Sequence, residues 1–179
     1  GGDVEIDGAN VNHLGAVINC LQSKDCKIDG DDTYMRVRST GRIHGVHAQS
    51  APYPLLPTDM QPQLLCASCF SDGVSVIRET VFESRFAHVK EMQKLGAKIN
   101  VRGDTATIFG CEKSDSPYMI KGGSVVASDL RAGGALCIAA LKIKGESKVY
   151  GVDFIDRGYE RIEDLFCSLG GYVLRTKDR

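Results

Sequence analysis

SDLRAGGALCIAALKIKGESKVYGVDFIDRGYERI, residues 128–162, reads as four elements in a row: a capped and nearly uncharged helix, a tight connection at Gly145, an alternating strand and a second helix. Arg131 falls near the start of the first helix, and Arg157 at the junction between the strand and the second helix. The same plan occurs earlier in TDMQPQLLCASCFSDGVSVIRETVFESRF, residues 58–86. Asp59 matches Asp129, Gly73 matches Gly145 and Arg85 matches Arg157; both Gly-to-Arg steps are 12 residues long. One unit is therefore used at least twice. Asp59 and Asp129 are 70 residues apart, and Gly96 and Gly170 are 74 apart, a period that indicates an internally repeated fold.

Working outward, Leu64, Leu65, Cys66, Cys69 and Phe70 carry the first helix of the earlier unit, and Ser75 to Phe82 its strand. A second helix is expected from Arg85 to Leu95, closed by Gly96, then a hairpin around Gly103-Asp104. Ala51 to Pro57 is expected to be extended, because residues before proline avoid the helical region. Thr58-Asp59 reads as a helix N-cap pair, and Pro62 lies close enough to that start to be tolerated. Near the beginning, Val4, Ile6 and Val11 suggest a strand region, and Leu14, Val17, Ile18 and Leu21 recur at helical spacing. Ile28 and Tyr34 to Val37 then read as a strand pair turning at Gly30 to Asp32. At Lys24-Asp25-Cys26 this unit departs from the Leu-Gly-Ala and Leu-Gly-Gly endings of the others. A helix like those at Thr58 and Ser128 is expected upstream of Gly1. The expected organisation is a single α/β domain of βαβαββ units, approximately 1–50 (incomplete), 51–121 and 122–179. The helix from Ala132 to Leu141 has no charge, so it is expected to be buried on all sides; Tyr159 to Leu169 carries Glu160, Arg161, Glu163 and Asp164 toward water.

Composition narrows the function. With 179 residues and 42% hydrophobic content, the chain can build a proper core. Net charge is −1 and the basic residues are scattered, which argues against a nucleic-acid partner. No apolar run approaches the roughly 20 residues that span a bilayer, so no membrane partner is expected. Seven cysteines at irregular spacings favour reduced thiols and a cytoplasmic location over a disulfide framework. Cys66 and Cys69 form a lone CxxC on an apolar helix with no second ligand pair, which reads as two buried thiols. His13, His44, His47 and His88 show no metal-binding spacing, and the glycine runs at Gly122 and Gly133 lack a dinucleotide-binding context. Asp59 and Asp129 read first as helix caps; the functional alternative is a carboxylate oriented at an anion site. Arg131 and Arg157 suit phosphate or carboxylate ligands, or ion pairs with Asp129, Asp156 or Glu160.

Four words then carry a resemblance: Pro57-Thr58-Asp59-Met60-Gln61, Glu79-Thr80-Val81-Phe82-Glu83-Ser84-Arg85-Phe86, Ala127-Ser128-Asp129-Leu130-Arg131-Ala132-Gly133, and Asp156-Arg157-Gly158-Tyr159-Glu160-Arg161-Ile162-Glu163. In this order they resemble the UDP-N-acetylglucosamine 1-carboxyvinyltransferases, enolpyruvyl transferases of bacterial peptidoglycan synthesis. The register runs from about Val4 to the C-terminus. Ser84 stands where that family usually has Asn, and Phe154 where it often has His. The resemblance implies one inside-out α/β barrel domain of a two-domain enzyme, with the active site in the cleft between domains. It implies that Asp59 meets the sugar 3-hydroxyl as general base. Arg131 and Arg157 would hold phosphoenolpyruvate, and Val81 would touch the UDP-sugar. No metal and no cofactor are expected. A Lys-Asn pair and a mobile loop with a reactive Cys belong to the other part of such enzymes, so the 179 residues alone are expected to be inactive. Two other readings remain at this point: a 3-phosphoshikimate 1-carboxyvinyltransferase-like domain, and a non-catalytic binding module of the same fold.

Overall fold

In the computed structural model of the chain, residues 2–22, 26–39, 41, 43–111 and 120–176 are described. Lys24 and Asp25, where the first unit's helix ending departs from the others, lie outside them. The middle part of the chain carries two helices and a four-stranded sheet. Its elements are β4 (His47–Ser50), α2 (Gln61–Ser68), β5 (Val74–Glu79), α3 (Ala87–Lys94), β6 (Lys98–Arg102) and β7 (Thr105–Phe109). They form a four-stranded sheet in the order β4-β5-β7-β6, with β4 and β5 parallel and the other pairs antiparallel. The first strand of this sheet thus lies just before residue 51. Preceding it are β1 (Gly2–Asp7), α1 (Gly15–Gln22), β2 (Cys26–Gly30) and β3 (Tyr34–Ser39), an antiparallel sheet in the order β1-β3-β2. Following it are β8 (Ser124–Val126), α4 (Leu130–Lys142), β9 (Lys148–Tyr150), α5 (Val152–Ile155) and α6 (Ile162–Ser168), with β8 and β9 parallel.

The repeat shows in local chemistry. Gly96 and Gly170 both end a helix with positive φ, +101° and +87°, where an L side chain would be strained. The β6–β7 hairpin turns at Gly103, φ +59°, and Asp104, with Arg102 facing Thr105. Beyond Gly171 the parallel stops: residues 171–176 form no strand, and Tyr172 is exposed.

The core lies where α2 packs against α4 and beneath the four-stranded sheet. Leu65, Cys66, Cys69, Ile77, Met92, Ile108, Ala135 and Leu136 share it and are essentially inaccessible. Each large aliphatic side chain removed from water here contributes about 1.5–3 kcal/mol. Helix α3 is two-faced, with His88, Val89 and Met92 inward and Lys90 and Lys94 outward.

Three expectations are corrected. Val11 is not in a strand: β1 ends at Asp7, Gly8 turns the chain, and Val11–His13 is a short 3-10 turn capped by the Asn10 side chain. Ala51 to Pro57 is not extended but reverses direction, with Leu55 N–H donating to the Pro52 carbonyl at 3.1 Å and Ala51 N–H to the Leu56 carbonyl at 3.0 Å. Its Tyr53–Pro54 bond is cis. Helix α4 is buried along Ala132–Leu136 and at Ala139, but Ile138 and Leu141 are 37% and 43% exposed. Without charged residues from Ala132 to Leu141, no face of this helix is marked for water in the sequence, yet the described residues cover only part of it.

Candidate active site

The parallel strands β4 and β5 end side by side, and their C-terminal ends are tied together. Thr80 N–H donates to the Ser50 hydroxyl at 3.1 Å, and the Thr80 hydroxyl donates to the Ser50 carbonyl at 2.6 Å. Such strand ends are where open α/β sheets present ligand sites. Glu79, the last residue of β5, is 3% exposed. One of its oxygens accepts from the N–H groups of Val81 and Phe82 at 2.9 and 3.1 Å; the other accepts from the Thr58 hydroxyl at 2.8 Å. Burial pushes the Glu79 carboxyl up, but these donors and the Ser50 hydroxyl outweigh it and leave the group below its ordinary value.

This bond also corrects the expected cap. Thr58 and Asp59 do not cap α2; Pro57 precedes a 3-10 turn over Thr58–Met60, and no side chain caps it. The Thr58 hydroxyl is drawn to Glu79 instead. Asp59 is left with 60% of its side chain exposed. Its Oδ1 accepts from Arg131 Nε and lies 3.9 Å from Arg85 Nη1.

Asp129 is the cap the sequence leads one to expect. Its Oδ1 accepts from the N–H groups of Arg131 and Ala132 at 2.9 and 3.0 Å, satisfying orphan donors at the start of α4. Burial raises this carboxyl, yet those two N–H groups, the Ser128 hydroxyl and the Arg131 charge hold it below its ordinary value. Arg131 therefore leaves a fixed helix start with its guanidinium directed to Asp59, not to Asp129. His88 sits buried in α3, where loss of water pushes its imidazole down to about 4 against the charge of Asp129 and a bond to the Arg85 backbone.

Arg157 is exposed and carried by the segment after α5, which rests on α4. A Cβ on Gly134 would fall 2.7 Å from the Tyr159 hydroxyl oxygen, and one on Gly133 would fall 2.4 Å from Ile155 Cγ1. Glycine at both positions is what lets this segment lie on the helix. Tyr159 also accepts from Gln63 Nε2 of α2 at 3.3 Å. The Arg157 guanidinium lies 5.0 Å from the Phe154 ring centre, so Phe154 serves as its local partner. The expected pairing of Arg157 with Asp156 or Glu160 does not form among the described residues; Asp156 is held by Arg175 at 2.8 and 2.9 Å.

Of the four sequence-predicted site residues, the structure joins Asp59 directly to Arg131 and links Val81 to the Asp59 turn through Glu79. Arg157 lies in the segment after α5, whose Gly158 and Tyr159 adjoin Leu130 and Gln63, and among the described residues it makes no direct bond to the other three. Arg85 and Glu79 complete the group. Arg85 was visible in the repeat only as the counterpart of Arg157; nothing in spacing marks Glu79. Beside them, Phe82 is 54% exposed under the Arg85 guanidinium, 4.6 Å from its ring centre. Ser84, with φ 58°, occupies the left-handed conformation that asparagine adopts more readily. The Cys69 and Cys137 thiols are unsuited to nucleophilic work: burial pushes Cys69 up to about 12, and partial burial pushes Cys137 up to about 11. Among the described residues, no group of three His, Cys, Asp or Glu could hold a metal ion.

A family model described as EPSP synthase (3-phosphoshikimate 1-carboxyvinyltransferase) matches residues 1–166. The chain belongs to this enolpyruvyl transferase family. Relatives within reach of the sequence include the UDP-N-acetylglucosamine 1-carboxyvinyltransferase of Anaeromyxobacter sp. (strain Fw109-5), 42% identical over 177 residues, covering 99% of this chain and 40% of the relative. The enzyme of the same name from Gluconacetobacter diazotrophicus is 38% identical over 178 residues, covering 99% of this chain and 41% of the relative. The chain thus spans about two fifths of the length of these relatives. Among solved structures, the enolpyruvyl transferase NikO from Streptomyces tendae superposes with a TM-score of 0.82 at 24% identity, covering 95% of this chain and 39% of NikO. EPSP synthase from Acinetobacter baumannii gives 0.76 at 18% identity, covering 99% of this chain and 43% of that one. The fold is the inside-out α/β fold of the enolpyruvyl transferases.

Proposed function

We propose that this chain supplies one wall of the active site of a UDP-N-acetylglucosamine 1-carboxyvinyltransferase. The whole enzyme moves the enolpyruvyl group of phosphoenolpyruvate to the sugar 3-hydroxyl and releases phosphate, in the cytoplasm, as the first committed step of peptidoglycan synthesis. The observation that carries the reading is the exposed Asp59 carboxylate held between Arg131 and Arg85 at the adjoining starts of α2 and α4. A carboxylate and clustered guanidiniums are what an addition–elimination on phosphoenolpyruvate requires. The hydroxyl oxygen adds to C2 while its proton passes to a base and C3 gains a proton. The resulting tetrahedral adduct then loses a proton from C3 and expels phosphate, restoring the double bond.

Asp59 acts as the base on the 3-hydroxyl. Arg131 and Arg157 neutralise the phosphate and carboxylate of phosphoenolpyruvate, whose charge a hydroxyl nucleophile alone cannot offset. An incoming phosphate competes with Asp59 for Arg131, and that exchange frees the Asp59 oxygen for the sugar hydroxyl. Val81, on the strand-end loop, contacts the UDP-sugar. The partner is the remaining part of the same kind of enzyme, to which the resemblance assigns the Lys-Asn pair and the cysteine loop. No helix among the described residues is long and apolar enough to cross a membrane. The test is acceptor competition: with phosphoenolpyruvate and the complementary part present, UDP-N-acetylglucosamine supports phosphate release and 3-phosphoshikimate does not. The reverse preference would reassign the acceptor.

A further inference from the structure

We infer that Glu79 is a positioning residue that sets the UDP-sugar contact and the catalytic base relative to each other; this rests on the function proposed above. Its two oxygens serve two different segments. Oε1 holds the backbone of Val81 and Phe82, at 2.9 and 3.1 Å. Oε2 holds the Thr58 hydroxyl at 2.8 Å, one residue before Asp59. The side chain itself has little freedom. It is 3% exposed, its backbone N–H donates to the Asp104 carbonyl at 2.7 Å, and Ser50 adds a hydroxyl to the carboxylate.

Burying a carboxylate is costly unless convergent donors replace its water. Here the replacement comes wholly from neutral donors on three segments: the end of β4, the turn before α2 and the loop after β5. Fixing the loop after β5 alone requires only Oε1, and a short side chain could do it. Oε2 on Thr58 adds a different constraint: a shift of Val81 must drag the Asp59 turn with it. A misplacement of about 1 Å at such a site costs about a hundredfold in rate, so a shared buried anchor has a direct catalytic consequence.

The experiment compares Glu79→Ala, Glu79→Gln and Thr58→Val. Amide hydrogen exchange is read at Val81 and Phe82 in the chain itself. Steady-state kinetics are read with the complementary part of the enzyme added. Glu79→Ala is expected to speed exchange at both amides about tenfold or more, to raise KM for UDP-N-acetylglucosamine and to lower kcat. Thr58→Val cuts only the Oε2 arm, so it lowers kcat and leaves KM and the two amides unchanged. Glu79→Gln keeps an acceptor for the amides and offers an N–H to Thr58, and restores kcat and KM toward wild type. Unchanged exchange in Glu79→Ala overturns the positioning role whatever the activity. So does a loss of melting temperature with kcat and KM intact. If Glu79→Ala does not fold, an unchanged kcat in Thr58→Val is by itself sufficient to overturn the coupling. A wild-type mixture without activity overturns the functional reading, and the exchange result still decides whether Glu79 holds the loop.

Discussion

Replacing Asp129 by alanine removes the acceptor for two helix-start N–H groups, those of Arg131 at 2.9 Å and Ala132 at 3.0 Å. Loss of an N-cap costs about 0.5–2 kcal/mol. With two donors orphaned, and with a negative charge lost from the positive end of a 13-residue helix, the upper half of that range applies, about 1–2 kcal/mol. For a domain of this size that is a fall of about 2–8 °C in melting midpoint, measurable by circular dichroism or calorimetry. Asp129→Asn keeps a side-chain oxygen and is expected to lose no more than about 0.5 kcal/mol. The pH dependence has a definite sign. Because the folded carboxyl lies below its ordinary value, its stabilisation is fully present above the unfolded value of about 3.9 and is lost as pH falls through the lower folded value. Asp129→Asn removes that part of the acid sensitivity. An unchanged midpoint in Asp129→Ala, or an equal fall in Asp129→Asn, would refute the capping argument.

Gly133→Ala drives a methyl group into Ile155, where the added carbon would lie 2.4 Å from Cγ1; a destabilisation of about 1–3 kcal/mol in denaturant melts is expected. Asp59→Asn is expected to lower kcat by about 10²- to 10⁴-fold in the reconstituted enzyme. Because the Asp59 side chain is 60% exposed, its melting midpoint should fall by the equivalent of no more than about 1 kcal/mol. Arg157→Ala is expected to raise KM for phosphoenolpyruvate about tenfold or more, since charge-assisted bonds to a phosphate or carboxylate are lost. Its melting curve should move by less than about 0.5 kcal/mol.

The repeat was legible because its punctuation is chemical: Asp129 before an uncharged run, and glycines at Gly96 and Gly170 where the backbone takes a positive φ. Hairpin and helix periods followed from the same local rules. The Thr58-Asp59 pair shows where local rules stop. It has the residues of a cap, but a buried carboxylate from β5, 21 residues away in sequence, claims the Thr58 hydroxyl. The reversal at Ala51 to Pro57 is set by backbone bonds that proline statistics do not encode. The Asp59–Arg131 contact joins residues 72 positions apart, and spacing alone left Arg131 free to pair with Asp129. Resemblance named Asp59, Val81, Arg131 and Arg157. It included Glu79 in a motif but gave it no role, because its two arms of bonds appear only once β5 and the turn before α2 are brought together.

The most direct test of the account is UDP-N-acetylglucosamine-dependent phosphate release from phosphoenolpyruvate, measured on these 179 residues alone and after addition of the complementary part of a related enzyme. The account predicts silence alone and turnover on mixing. Turnover by the 179 residues alone, or silence in both, would contradict it.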